Sequence, residues 1–189
     1  MRYILTLMML ASLPVLQGCA ALAVGGAAAT AGYVVGEDRR SGGTIAEDQA
    51  IEFKVSDRIR TKYPDVHVSA TSFNRMVLLS GEVPDAAAKS EIERIARSVE
   101  NVRGVYNEIQ IGPVTTLSTR TNDSFITSKV KARFLDAQRF NPIWVKVVTE
   151  NGAVFLMGLV NHKEATDATD IARTTSGVQK VVRVFEYTD

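Results

Sequence analysis

The chain has 189 residues, 46% of them hydrophobic and 23% charged, with a formal net charge of +1. That composition is ordinary for a folded protein, and so small a net charge excludes the broad basic field that recruits nucleic acid. A single cysteine, Cys19, excludes an intramolecular disulfide and leaves no set of thiolates for a metal cluster.

In chain order, Arg2 supplies a positive start, residues 4–16 form an apolar run, and Leu16, Gln17, Gly18 and Cys19 follow it. This is the pattern of a signal peptide, and the run is too short to span a bilayer. Leu-Gln-Gly-Cys resembles the lipobox of bacterial lipoproteins. The resemblance implies removal of residues 1–18, a diacylglycerol on the Cys19 thiol and an acyl chain on its new amino group, with no other cofactor. Ala20, where enteric bacteria place an aspartate to retain lipoproteins in the inner membrane, implies the outer membrane. Residues 19–43 then read as a tether rich in Ala and Gly; its stretch over 20–36 fits either a flexible segment or a short apolar helix, the glycines at 25, 26, 32 and 36 weakening the helix.

The remainder is an internal repeat, residues 55–111 laid on 130–187 at an offset of about 75. Each copy opens on a helical stripe spaced by four: Ile51, Val55 and Ile59, then Ile126, Val130 and Phe134. Two period-two runs follow, Val66, Val68 and Ala70 with 76–79, and Val145, Val147 and Thr149 with 154–156. Asn151-Gly152 marks the second hairpin, because both residues tolerate positive φ. Each hairpin ends at a glycine, Gly81 or Gly158, which we read as structural: a positive φ or a close helix approach, not a ligand site. Asp85 and Asn161 cap a second, alanine-rich helix, Asn161 with Glu164 in a capping box. Val102 to Val105 and Val178 to Val181 lead into a closing strand. The expected fold is α+β: two αββαβ modules over 44–112 and 121–189, joined by 113–120, each a small three-stranded mixed sheet packed against two helices.

The hairpin ending in Gly-x-Val, the alanine-rich helix and the closing Val-x-x-Val strand resemble the BON domain of bacterial envelope proteins. Val105 to Ile109, Asn122 to Thr127 and Thr149 to Val160 are similar to segments of its two-domain lipoproteins. The resemblance implies a periplasm-facing outer-membrane lipoprotein that binds anionic phospholipid through the first helix of the second domain, supports barrier integrity and gathers at the division site. Envelope protein partners are implied there, and no small-molecule substrate.

The residues bear on that helix independently. Phe125, Lys129 and Arg133 form a stripe beside the core stripe, an aromatic ring with two cations, as an anionic membrane surface requires. The matching positions of the first copy are Ala50, Lys54 and Arg58. Residues 44–63 carry four acids (Glu47, Asp48, Glu52, Asp57) and four bases (Lys54, Arg58, Arg60, Lys62), whereas 121–140 carry Asp123 and Asp136 against Lys129, Lys131, Arg133 and Arg139. The candidate lipid contacts are Phe125, Ile126, Lys129, Arg133 and Trp144, with two alternatives open: Phe125 packed on the neighbouring module, and Trp144 in the core. A protein-interaction scaffold is the competing function. His67 and His162 have no second imidazole or ligand spacing nearby, and no hydrolase or phosphate-loop motif occurs, so neither an enzyme nor a metal site is expected.

Overall fold

A computed structural model of the chain describes residues 37–189. The expected signal peptide, the expected lipidation site Cys19 and the Ala/Gly stretch over 20–36 lie outside the described residues. Helix α1 (Gly42–Lys62) starts where the Ser41 side chain accepts a hydrogen bond from Thr44 N, and it buries Thr44, Asp48, Ile51, Val55 and Ile59 along one face. Strands β1 (His67–Phe73) and β2 (Met76–Val83) form an antiparallel hairpin. Asn74 and Arg75 turn it at φ 51° and 63°, the left-handed pair a two-residue hairpin turn demands. Helix α2 (Ala86–Arg97), capped by Asp85, carries the chain across to β3 (Gly104–Asn107) and β4 (Gln110–Ile111), both parallel to β2. The closing strand breaks there, with Ile109 fully buried in the core.

The second module repeats the design: α3 (Leu117–Ala137), β5 (Val145–Glu150), β6 (Ala153–Val160), α4 (His162–Arg173) and β7 (Lys180–Tyr187), with sheet order β5-β6-β7. The Thr116 side chain caps α3, so the helix starts inside the segment that reads as linker. Asn151 and Gly152 make the turn at φ 47° and 75°. At α4 the capping box is complete, Asn161 accepting from Glu164 N and Glu164 from Asn161 N.

Alternation along the central strands sets how the modules meet. Val77, Leu79 and Val83 of β2 face α1 and α2, and Val154, Leu156 and Val160 of β6 face α3 and α4. The opposite faces are apolar too: Phe73 and Leu78 pack on Phe155, Met157 and Val184. The two helix-free sheet faces therefore bury each other, giving helix, sheet, sheet, helix layers, and residues Arg39–Asp189 form one compact unit. Polar contacts ring this interface. Lys146 reaches Glu52 at 2.6 Å, and Asn74 and Arg103 both reach Glu186 at 2.9 Å. Among the described residues no helix is long and apolar enough to cross a membrane.

A buried carboxylate stands at the same place in both first helices. Asp48 accepts from Ser72 Oγ, Asn74 N and Arg75 N at 2.7–2.9 Å, and Asp123 accepts from Asn151 N and Gly152 N at 2.9 Å. Each clamps the left-handed hairpin turn to its helix, satisfying backbone groups that the turn leaves without partners. The two aspartates are thus structural, not surface charge.

The hairpin glycines divide in their reasons. Gly81 has φ +112°, and a Cβ there would lie 2.0 Å from the His67 carbonyl oxygen. At Gly158 a Cβ would lie 2.4 Å from the Trp144 carbonyl oxygen, with no positive φ. At Gly81 the approaching backbone belongs to the partner strand β1, and at Gly158 to the 3-10 turn Pro142–Trp144 just before β5, so neither glycine answers to one of the long helices.

Candidate functional site

Helix α3 buries Asp123, Ile126, Val130 and Phe134, which leaves its other side to water. Phe125 is 61% exposed and does not pack on the neighbouring module. Leu117 and Leu135, five turns apart on one line, are also exposed, and Lys131 is exposed on the same outward side. The two leucines lie beyond the stripe that the sequence singles out. The sequence signal was available, since large apolar residues off the core stripe of a helix need another partner. Helix α1 has Phe53 as its own exposed aromatic, 70% exposed, displaced from the Ala50 position and near Asp57 in the chain.

The other sequence-predicted residues divide. Ile126 is fully buried and packs in the second core, so it supports the surface from beneath and does not face outward. Trp144 is half-buried against that core, with the Arg39 guanidinium 3.6 Å from its ring centre. Lys129 sits 4.9 Å from the Phe125 ring centre and donates to Ser176 O. Arg133 turns inward: it donates to Ile171 O at 2.9 Å, Thr174 Oγ1 at 3.1 Å and Thr175 Oγ1 at 2.8 Å, at the carboxyl end of α4. In the first module Arg58 does the same at Ser98, through Oγ at 3.2 Å. The arginine recurs in both copies because it caps the second helix, whose last carbonyls lack partners.

A second polar cluster lies between the sheets. Strand register pairs His67 with Glu82, and His67 Nδ1 is 3.0 Å from Glu82 Oε2. Glu150 of the second module brings Oε1 to 3.8 Å from the same nitrogen. Thr115 holds Glu82 Oε2 through its backbone N at 3.1 Å and its Oγ1 at 3.2 Å. Burial raises the pKa of Glu150, and the negative charges of Glu82 and Asp123 push the same way against the pull of His67 and Ser80. Clefts of about 370 Å³ and 260 Å³ open on either side, the first lined by His67, Arg120, Asp123 and Glu150, the second by Glu82, Glu150 and Lys180. The sequence reading finds no second imidazole or ligand spacing near His67, and the two carboxylates beside it are not marked by any local spacing. One partner comes from hairpin register and the other only from module packing. His162 is exposed, stacked on Tyr187 at 4.1 Å and paired with Asp189 at 2.8 Å.

Comparison with known proteins finds the BON domain twice, at residues 47–113 and 122–189. The chain is 40% identical over 177 residues to outer membrane lipoprotein DolP of Haemophilus influenzae, covering 92% of this chain and 91% of that protein. It is 33% identical over 153 residues to the 21 kDa hemolysin of Actinobacillus pleuropneumoniae, covering 79% of each. Osmotically-inducible protein Y of Escherichia coli is 30% identical over 159 residues, covering 80% of this chain and 78% of that protein.

Proposed function

The chain belongs to the BON-domain family, with two copies in tandem, and from that premise we propose an outer-membrane lipoprotein that docks its second domain on anionic phospholipid through the outward face of α3. Cys19 carries the anchor, and the folded modules face the periplasm. The family resemblance extends this reading to barrier integrity and the division site. The observation that carries the lipid reading is the coincidence, on one helix, of exposed Leu117, Phe125 and Leu135 with Lys129 and the exposed Lys131. Such a face gains by inserting rings and methyls at the headgroup boundary while ammonium groups meet phosphate. Ile126, Arg133 and Trp144 serve by holding the helix in place. Co-sedimentation with phosphatidylglycerol vesicles tests the reading: binding weakens in Phe125→Ala, falls with salt, and is weak on phosphatidylcholine. A protein partner docking on the same face would be indifferent to headgroup charge, and unchanged binding across the two vesicle types would favour that scaffold role.

A further inference from the structure

We propose that His67, Glu82 and Glu150 form a site for a divalent transition cation of the Zn²⁺ class, one that bridges the two modules. The donor atoms, one imidazole nitrogen and one carboxylate oxygen from each glutamate, lie within 4.8 Å of one another. Zinc bonds of about 2.0–2.2 Å in a tetrahedral shell place ligands about 3.3–3.6 Å apart. The 3.0 and 3.8 Å contacts of His67 bracket that spacing.

The chemistry of the set agrees. Nitrogen and oxygen donors in a one-to-two ratio suit Zn²⁺ and its first-row neighbours, whereas Ca²⁺ asks for six to eight oxygens. Glu82 is 5% exposed, and two carboxylates face a single imidazole at the cluster. Ser80 adds a second pointer: it is 1% exposed, and among the described residues its Oγ makes no hydrogen bond of normal geometry. Thr115 already braces Glu82 as outer-shell donors brace metal-binding carboxylates. The flanking clefts provide an entry path and room for water at an open position.

Because the ligands come from β1, β2 and β5, the bound ion would fasten the sheets to each other at one end of their shared face. The test uses the full chain, untagged and in detergent, stripped with a chelator and titrated with Zn²⁺. Metal analysis should find one bound ion per chain, and Zn²⁺ should raise the melting temperature reversibly. His67→Gln and Glu150→Gln should each weaken binding at least about tenfold and abolish the melting shift, while His162→Gln, at the exposed His–Asp pair, changes neither. Co²⁺ absorption bands present in the wild type and lost in a folded Glu150→Gln, checked by circular dichroism, separate ligand loss from misfolding. No uptake by the wild type, uptake undiminished in the His67→Gln/Glu150→Gln double variant, or equal loss in His162→Gln would overturn the site.

Discussion

The two modules share a frame and differ in what they leave outside it. Both clamp a left-handed turn with a helix aspartate, and both cap the second helix with an arginine from the first. What is common to the copies is therefore what each fold needs, including the arginine that looks on sequence grounds like a phosphate contact. What differs is the outward helix face: Leu117, Phe125 and Leu135 on α3, against Phe53 alone on α1. Where a chain repeats itself, function is better sought in the residues that the copies do not share.

The comparison breaks hardest at the aspartates. Asp48→Ala removes the acceptor shared by two backbone N–H groups and the Ser72 hydroxyl, and takes from the Arg40 guanidinium its carboxylate at 2.9 Å. It should lower stability by about 3–5 kcal/mol, the range for removing one partner of a buried ion pair. Asp123→Ala strands two N–H groups and should cost about 2–3 kcal/mol. Urea unfolding of both variants measures the pair, and equal losses would mean that Arg40 adds nothing.

The glycines come next. Gly81→Ala meets both positive φ and a backbone oxygen, so a loss of about 3 kcal/mol is expected, whereas Gly158→Ala meets the oxygen alone and should lose about 1–3 kcal/mol. Melting curves rank them, and a Gly158 variant less stable than its Gly81 counterpart would reverse the argument.

The proposed membrane face is probed at smaller scale. Lys131→Glu should weaken binding to phosphatidylglycerol vesicles by about 1 kcal/mol or more with no change in melting, the effect shrinking as salt rises. Arg133→Glu should destabilise the fold instead, through the cap at α4, and Phe53→Ala should leave vesicle binding nearly unchanged. If Phe53→Ala and Phe125→Ala lose binding equally, the two helix faces are equivalent and the asymmetry has no bearing on lipid.

The smallest effect concerns acid. Arg39 hydrogen-bonds Glu164 at 2.7 and 2.8 Å, holding that carboxyl below its ordinary pKa of 4.5. A depressed folded-state pKa contributes stability that is complete above the unfolded value and fades as pH falls through the folded one. Arg39→Ala should therefore lower the melting temperature slightly at pH 7 and approach the wild type in strong acid.

Local chemistry made much of this legible in advance. Helix stripes, hairpin turns and caps depend on residues within a few positions of one another, and Ile51 to Ile59, Asn151-Gly152 and the Asn161 box all stand where their spacing puts them. The aspartates were readable too, since Asp48 and Asp123 sit three residues before Ile51 and Ile126, on the core stripe and not opposite it. Continuous apolar runs at Val77 to Leu79 and Val154 to Met157 mark strands buried on both faces, which a period-two reading passes over. Glu150 beside His67 was out of reach, because only the packing of one module on the other brings them together.

Arg39 and Arg40 are neighbours in sequence and hold different modules. Arg39 lies over Trp144 and pairs with Glu164, while Arg40 lies 3.9 Å from the centre of the Phe73 ring and pairs with Asp48. The point where the chain enters the folded body is therefore held by two adjacent guanidiniums, one on each half, so that a single dipeptide ties the entry to both modules at once.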